Sequence, residues 1–133
     1  MNDQIIEEFR ANEGVVGGFF AGKPLLLLHN TGAKSGAARI NPLVYGTEGD
    51  NFVIAASKGG ADSHPDWFYN VQANPDVMVE VGTRKVSARA QVVPEGERRT
   101  ALYLQLENIL SNFTDYKHKT ERVIPVIVLE PIA

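Results

Sequence analysis

A chain of 133 residues is one domain's length and leaves no room for a second. Its 13 Lys+Arg against 16 Asp+Glu give a formal charge of -3, which lacks the basic excess of a nucleic-acid binder but permits a local cationic site. The absence of cysteine excludes disulfides, thiolate zinc sites, iron–sulfur clusters and thiol nucleophiles.

The opening residues, Met1-Asn2-Asp3-Gln4, carry neither the basic nor the apolar region of a signal peptide. Asp3 is placed to cap a short helix with Ile5, Ile6 and Phe9 on one face, ending before Gly14. The opposite face holds Glu7 and Glu8, the wrong charge for an anionic membrane surface. Residues 1–22 are therefore read as an N-terminal helix and a glycine-rich lead-in, broken by Gly17, Gly18 and Gly22.

From Leu25 the pattern changes. Leu25 to His29 is a continuous apolar run, which predicts a buried strand. A turn at 31–36 leads to a strand from Arg39 to Tyr45. A second turn, Gly46 to Asp50, precedes a third strand, Phe52 to Ala56. Loops this short join antiparallel neighbours, because a parallel crossover needs a dozen or more residues.

The glycine loop Ser57-Lys58-Gly59-Gly60-Ala61 follows. Ser63 is positioned to cap a helix that ends before Asn74-Pro75. Val77, Val79 and Val81, then Val86, Ala88, Ala90 and Val92, alternate with other residues and predict a hairpin. Pro94 and Glu95 open another helix, with Leu102, Leu106, Ile109 and Leu110 at core-facing spacing. A polar segment, Asn112 to Arg122, leads to a last strand from Val123 to Glu130. The longest apolar runs, Pro24 to Leu28 and Val123 to Leu129, are far below the roughly 20 residues that cross a bilayer. Six strands in mostly hairpin order predict an α+β protein, a small antiparallel barrel with helices packed on it.

Several chemistries fail on inspection. The segment from Gly17 to Pro24 spells a phosphate loop except at its last position, where Pro24 replaces the required hydroxyl. His29, His64 and His118 lack metal-ligand spacing, so metal is not expected. There is no G-x-S-x-G elbow and no G-x-G-x-x-G fingerprint. Asn112-Phe113-Thr114 matches a glycosylation sequon without a secretion signal beside it.

An anion site is the constellation that survives. Lys34 and Arg39 flank the Ser35-Gly36 turn, where amides near Gly32 and Gly36 add donors. Ser57, Lys58, Gly59 and Gly60 end the third strand before a helix N-terminus, which also favours anions. The plain alternative is two solvated loops. Trp67 is either a core residue or the wall of a flat aromatic site. Tyr116 is either a packing residue or, with an ordinary pKa of about 10, a proton donor in a pocket.

Three ordered motifs carry a resemblance over most of the chain, from about Leu25 to Pro131. Thr31-Gly32-Ala33-Lys34-Ser35-Gly36 with Arg39, Asn41 and Pro42 resembles the T-G-x-K-S-G-x-x-R-x-N-P signature of deazaflavin-dependent nitroreductases. The segments Ala55 to Ala61 and Pro65 to Pro75 are similar to that family's A-A-S-K-G-G-A loop and P-x-W-x-x-N-x-x-A-N-P helix. Arg122-Val123-Ile124-Pro125 and Leu129-Glu130-Pro131 fit its closing segments.

The resemblance implies a split β-barrel, like that of FMN-binding split-barrel proteins, holding coenzyme F420, an 8-hydroxy-5-deazaflavin. FMN is the alternative flavin. By position, Lys34, Ser35 and Arg39 would hold the phosphate and tail. Asn41, Pro42 and the run Ala55, Ala56, Ser57, Lys58, Gly59 and Gly60 would line the ring, with Pro65 and Trp67 beside it. Tyr116 would orient or protonate the acceptor. Leu110 and Phe113 stand where some members have tyrosines, which implies a more apolar pocket.

The expected activity is hydride transfer from reduced deazaflavin to a small electron-poor acceptor: a quinone, an activated enone or a nitro compound. The rival is a binding module that holds F420 or FMN without catalysis. A single cytoplasmic domain over residues 1–133 is expected, as monomer or homodimer. Neither nucleic acid nor a stable membrane anchor is expected, and weak membrane association is left open by the resemblance.

Overall fold

Two cores form because apolar residues alternate along the strands, and the chain then wraps helices over both. A computed structural model describes residues 2–132. Helix α1 (Asn2–Ala11) is followed by strands β1 (Leu25–Thr31), β2 (Ala38–Val44), β3 (Gly46–Glu48) and β4 (Asn51–Ala55). Helix α2 (Asp66–Ala73), strands β5 (Asp76–Val81) and β6 (Arg84–Val92), helices α3 (Glu97–Ile109) and α4 (Asn112–Lys119), and strand β7 (Val126–Pro131) complete it.

The seven strands form one sheet in the order β2-β1-β5-β6-β7-β4-β3, every pair antiparallel. The edge strands β2 and β3 are consecutive in the chain with only Tyr45 between them. Two edges joined by one residue must lie close together, so the sheet curls into a half-barrel. The α+β split-barrel architecture expected from the sequence is the one observed.

Leu25 and Leu27 of β1, Val53 of β4 and Val126 and Val128 of β7 face one core, with Phe9, Leu102, Leu106 and Phe113 from the helices. Leu26, Leu28, Ile54, Ile127 and Leu129 point the other way, into a core completed by Trp67, Phe68 and Val71 of α2. This is the period-2 consequence of strand geometry. Leu26, Leu27 and Leu28 are fully buried, so truncating any one to alanine is expected to cost about 2–5 kcal/mol.

Four expectations are corrected. The sheet has seven strands rather than six, because Gly46–Glu48 pairs with β4 instead of forming only a turn. Three residues are too few to carry an alternation. The polar stretch after Asn112 is a helix, α4, held by burial of Phe113 and by bonds from Thr114 and from Lys117 (3.0 Å) to the Glu107 carboxylate. Ser63 does not cap α2, whose N-cap is the extended Pro65; its Oγ instead accepts a bond from Lys58 Nζ at 3.2 Å. The last strand starts at Val126 rather than Val123, after Pro125, which has no N–H to donate to a ladder.

A polar knot fixes α1 to the outside of the sheet. Glu80, buried on β5, accepts from Arg10 Nη2 at 2.8 Å and Nε at 3.2 Å, with His29 Nε2 at 2.5 Å. The Arg10 guanidinium holds the Glu80 carboxyl down at about 2, against burial, with help from His29. Stability from this knot is therefore full above about pH 4.5, the ordinary carboxylate value, and is lost as pH falls toward 2.

Candidate active site

Asparagine side chains align the elements that build the site. Asn70 on α2 donates from Nδ2 to Asn30 Oδ1 on β1 at 2.8 Å, and both residues are buried. Asn30 Nδ2 in turn donates to Asn41 Oδ1 on β2 at 3.0 Å. The free oxygen of Asn70 accepts the Ala33 N–H at 2.9 Å. One chain of amides thus locks α2 to two strands and to the turn after β1. Removing any member would leave buried partners unsatisfied.

That turn is closed by its own backbone. Gly32 N–H donates to Ala37 O at 2.8 Å and Gly36 N–H to Gly32 O at 2.9 Å, while Ser35 Oγ accepts the Ala37 N–H at 3.1 Å. Gly36, at φ +70°, turns the chain where other residues are strained. Lys34, Ser35 and Arg39 line an open cavity of about 570 Å³, with Asp66, Tyr69 and Asn70 across from α2. Lys34 and Arg39 are exposed and form no ion pair among the described residues. This is a cationic mouth.

The loop after β4 has two backbone bonds of its own and is held from outside as well. Arg122 donates to the carbonyls of Ser57 (2.6 Å), Ala61 (2.7 Å) and Ala56 (3.1 Å), and its Nη1 lies 3.1 Å from His64 Nδ1. Burial, then the Arg122 charge, push the His64 pKa down, so the neutral ring serves as acceptor. Gly60 sits under α4: a Cβ there would lie 2.8 Å from the Tyr116 carbonyl oxygen and 2.9 Å from its Cα. Only glycine lets the helix approach this closely.

Against that loop lies a cavity of about 200 Å³. Pro42, Ala55, Ser57, Lys58, Gly59, Pro65, Trp67 and Tyr116, all expected from the sequence, line it. So do Leu110 and Phe113, and the lining also includes Phe19, Phe20, Leu43 and Val44. Burial first, then Asp115, raise the Tyr116 pKa, so the phenol keeps its proton at neutral pH. No group among the described residues hydrogen-bonds its hydroxyl. The two cavities share their walls: β2 gives Arg39 to one and Pro42 to the other, and α2 gives Asp66 and Trp67.

Of the residues expected to bind cofactor, Asn41, Ala56 and Gly60 line neither cavity. The Asn41 carbonyl is engaged by Asn30, Ala56 is fully buried, and Gly60 is covered by α4. Sequence reasoning assigned no site role to Phe19, Phe20, Asn70 or Arg122. Asn70 and Arg122 both stand inside matched motifs, which was their signal. Phe19 and Phe20 sit in a glycine-rich stretch that reads only as a break.

Compared with known proteins, residues 3–131 match the family described as F420H(2)-dependent quinone reductase. The chain belongs to this family. It is accordingly an oxidoreductase, and coenzyme F420 is its cofactor. A curated relative, an F420H(2)-dependent quinone reductase of Mycobacterium tuberculosis, is 40% identical over 124 residues, covering 91% of this chain and 83% of the relative. The solved structure of an F420-H2 dependent reductase superposes with a TM-score of 0.74 at 36% identity, covering 86% of this chain and all of that one. Another solved chain, described as a domain-swapped dimer, gives 0.75 at 35% identity, covering 97% and 94%.

The residues present fit such a cofactor. A slot walled by Pro42, Trp67 and Ala55 suits a planar ring, and the adjoining mouth offers two unpaired cations to a phosphate and an acidic tail.

Proposed function

We propose that this chain binds reduced coenzyme F420 across both cavities and catalyses reduction of a quinone that enters beside Tyr116. The observation that carries the reading is the pairing of a largely apolar slot, lined by the Tyr116 phenol, with a mouth whose Lys34 and Arg39 form no ion pair among the described residues.

When bound, the reduced deazaflavin supplies a hydride, so a quinone that also gains a proton becomes a quinol and the cofactor returns to its oxidised form. The protein's part is binding, orientation and the handling of that proton. Lys34 and Arg39, with Ser35 and the turn amides, would hold the phosphate and tail. Pro42, Pro65, Trp67, Ala55, Ser57, Lys58 and Gly59 would set the plane of the ring, with Asn41 acting through Asn30 and Asn70 on the turn. Leu110 and Phe113 exclude water from the acceptor space, which strengthens each polar contact made there. The Tyr116 hydroxyl would donate a hydrogen bond, then a proton, to the quinone oxygen.

Quinones come before nitro compounds and enones, because the matching family is one of quinone reductases and Tyr116 is the one phenol in the lining. Homodimerisation is proposed on the likeness to the domain-swapped dimer, and light scattering would test it.

The direct test follows the absorbance of reduced F420 with protein and menadione. Protein-dependent reoxidation that requires menadione is expected. Tight binding without acceptor-dependent reoxidation across quinones, enones and nitroaromatics would instead favour a binding module. Better binding of FMN than of F420 would overturn the cofactor assignment.

A further inference from the structure

A half-exposed aromatic ring that lines a cavity offers its face to whatever enters that cavity. Phe19 is 59% exposed, yet it lines the same cavity as Tyr116, Leu110 and Phe113 and takes no part in the cationic mouth. Its neighbour Phe20 packs against the core and meets the Phe19 ring edge-on, with centroids 5.1 Å apart. One ring anchors the segment and the other is presented.

The backbone explains the presentation. Gly18 at φ +63° and Gly22 at φ +73° bracket the segment, and no heavy atom lies within 4 Å of where a side chain would start on either. Ala21 N–H donates to Gly18 O at 3.1 Å and Lys23 N–H to Phe20 O at 3.0 Å, so two tight turns carry the rings. At its start the segment is tied to α1, where Glu8 Oε1 accepts the Gly17 N–H at 2.6 Å. The segment is fixed at its base by Glu8 and Phe20 while Phe19 faces the cavity with little packed on it.

We propose that Phe19 is an acceptor-specificity residue, an outer wall whose ring stacks on a flat two-ring quinone and has little to meet on a single-ring one. The assignment rests on the quinone reductase reading above. Its physical basis is that stacking gains with overlapping aromatic area, so a bicyclic acceptor covers Phe19 more completely.

Trp67 is the chain's one tryptophan and lines this cavity, so its fluorescence reports acceptor binding without turnover. Menadione and benzoquinone should each be titrated against wild type, Phe19→Ala and Phe19→Tyr, first with oxidised F420 filling the ring slot, where no turnover occurs, and then in steady-state kinetics with reduced F420. Phe19→Ala is expected to weaken menadione binding and raise its KM by about three- to ten-fold, with benzoquinone moved less than about two-fold. Phe19→Tyr should restore the wild-type preference, and F420 affinity should be the same in all three. Leu104→Ala, on an exposed site of α3 outside the cavity, is the surface control. Equal shifts for both quinones, or none for either, would overturn the specificity role. A wild type that binds menadione but reoxidises no reduced F420 would overturn the reductase reading, leaving the fluorescence comparison to decide Phe19 alone.

Discussion

Two loops build the site, and they differ in what holds them from outside: a single amide for one, a half-buried guanidinium and a helix for the other. The turn between β1 and β2 closes on its own amides, is tied to α2 through Asn70, and leaves Lys34 and Arg39 without an ion-pair partner among the described residues. The loop after β4 has two short backbone bonds of its own, Gly60 N–H to Ser57 O at 3.0 Å and Ala61 N–H to Lys58 O at 3.2 Å, and is clamped besides by Arg122 on one side and α4 on the other. A self-closed turn with free charges is suited to catching an anion. A loop pinned from outside is suited to keeping a wall in place. The difference separates affinity, which is electrostatic and salt-sensitive, from geometry, which is a matter of packing.

The comparison breaks most visibly at Arg122. Arg122→Met removes a guanidinium shared by three carbonyls and should destabilise the protein by about 2–4 kcal/mol, read by thermal or denaturant unfolding. The first turn, more than 80 residues from Arg122 in sequence and bonded separately, should keep its shape. Tyr116→Phe comes next: with the donor gone but the ring kept, kcat should drop about 10²-fold while F420 affinity holds. Full activity would discard the proton-donor role.

Changes at the mouth should act on binding alone. Lys34→Ala and Arg39→Ala are each expected to weaken F420 by about 1–2 kcal/mol at low salt, less at high salt, as titrations at two ionic strengths would show. The smallest effect is pH-linked. His64 has its folded pKa pushed below the ordinary 6.5, so the unfolded chain takes up its proton first. Stability from the neutral ring is complete above about pH 6.5 and declines as pH falls below it, a slope that His64→Gln should flatten.

Much of this arrangement was legible in the sequence. The continuous run Leu25 to Leu28 announces a buried strand, and both cores indeed meet on it. Val77, Val79 and Val81 of β5 and Val86 of β6 show the face that joins the second core by alternation, while Val92 in the same pattern is left exposed. Lys34 and Arg39 could be placed beside one turn from spacing alone. The unread parts depend on partners distant in the chain. Glu80 looks like an ordinary surface residue of an alternating strand until Arg10 and His29 close on it. Asn70 gains its meaning from Asn30, forty residues away. Helix α4 has too polar a pattern to be recognised without Glu107, which bonds Thr114 and Lys117 from α3. Phe19 and Phe20 were hidden by the glycines around them, which signal a break in structure and say nothing of what the break presents.

The division of labour between mouth and wall is tested most directly with the Lys34→Ala/Arg39→Ala double variant, by measuring F420 affinity and then menadione reduction at saturating cofactor. Affinity should fall by roughly 30- to 1,000-fold at low salt while kcat stays within about two-fold of wild type. A double variant that binds F420 as tightly as wild type, or one that loses kcat at saturation, would contradict the account.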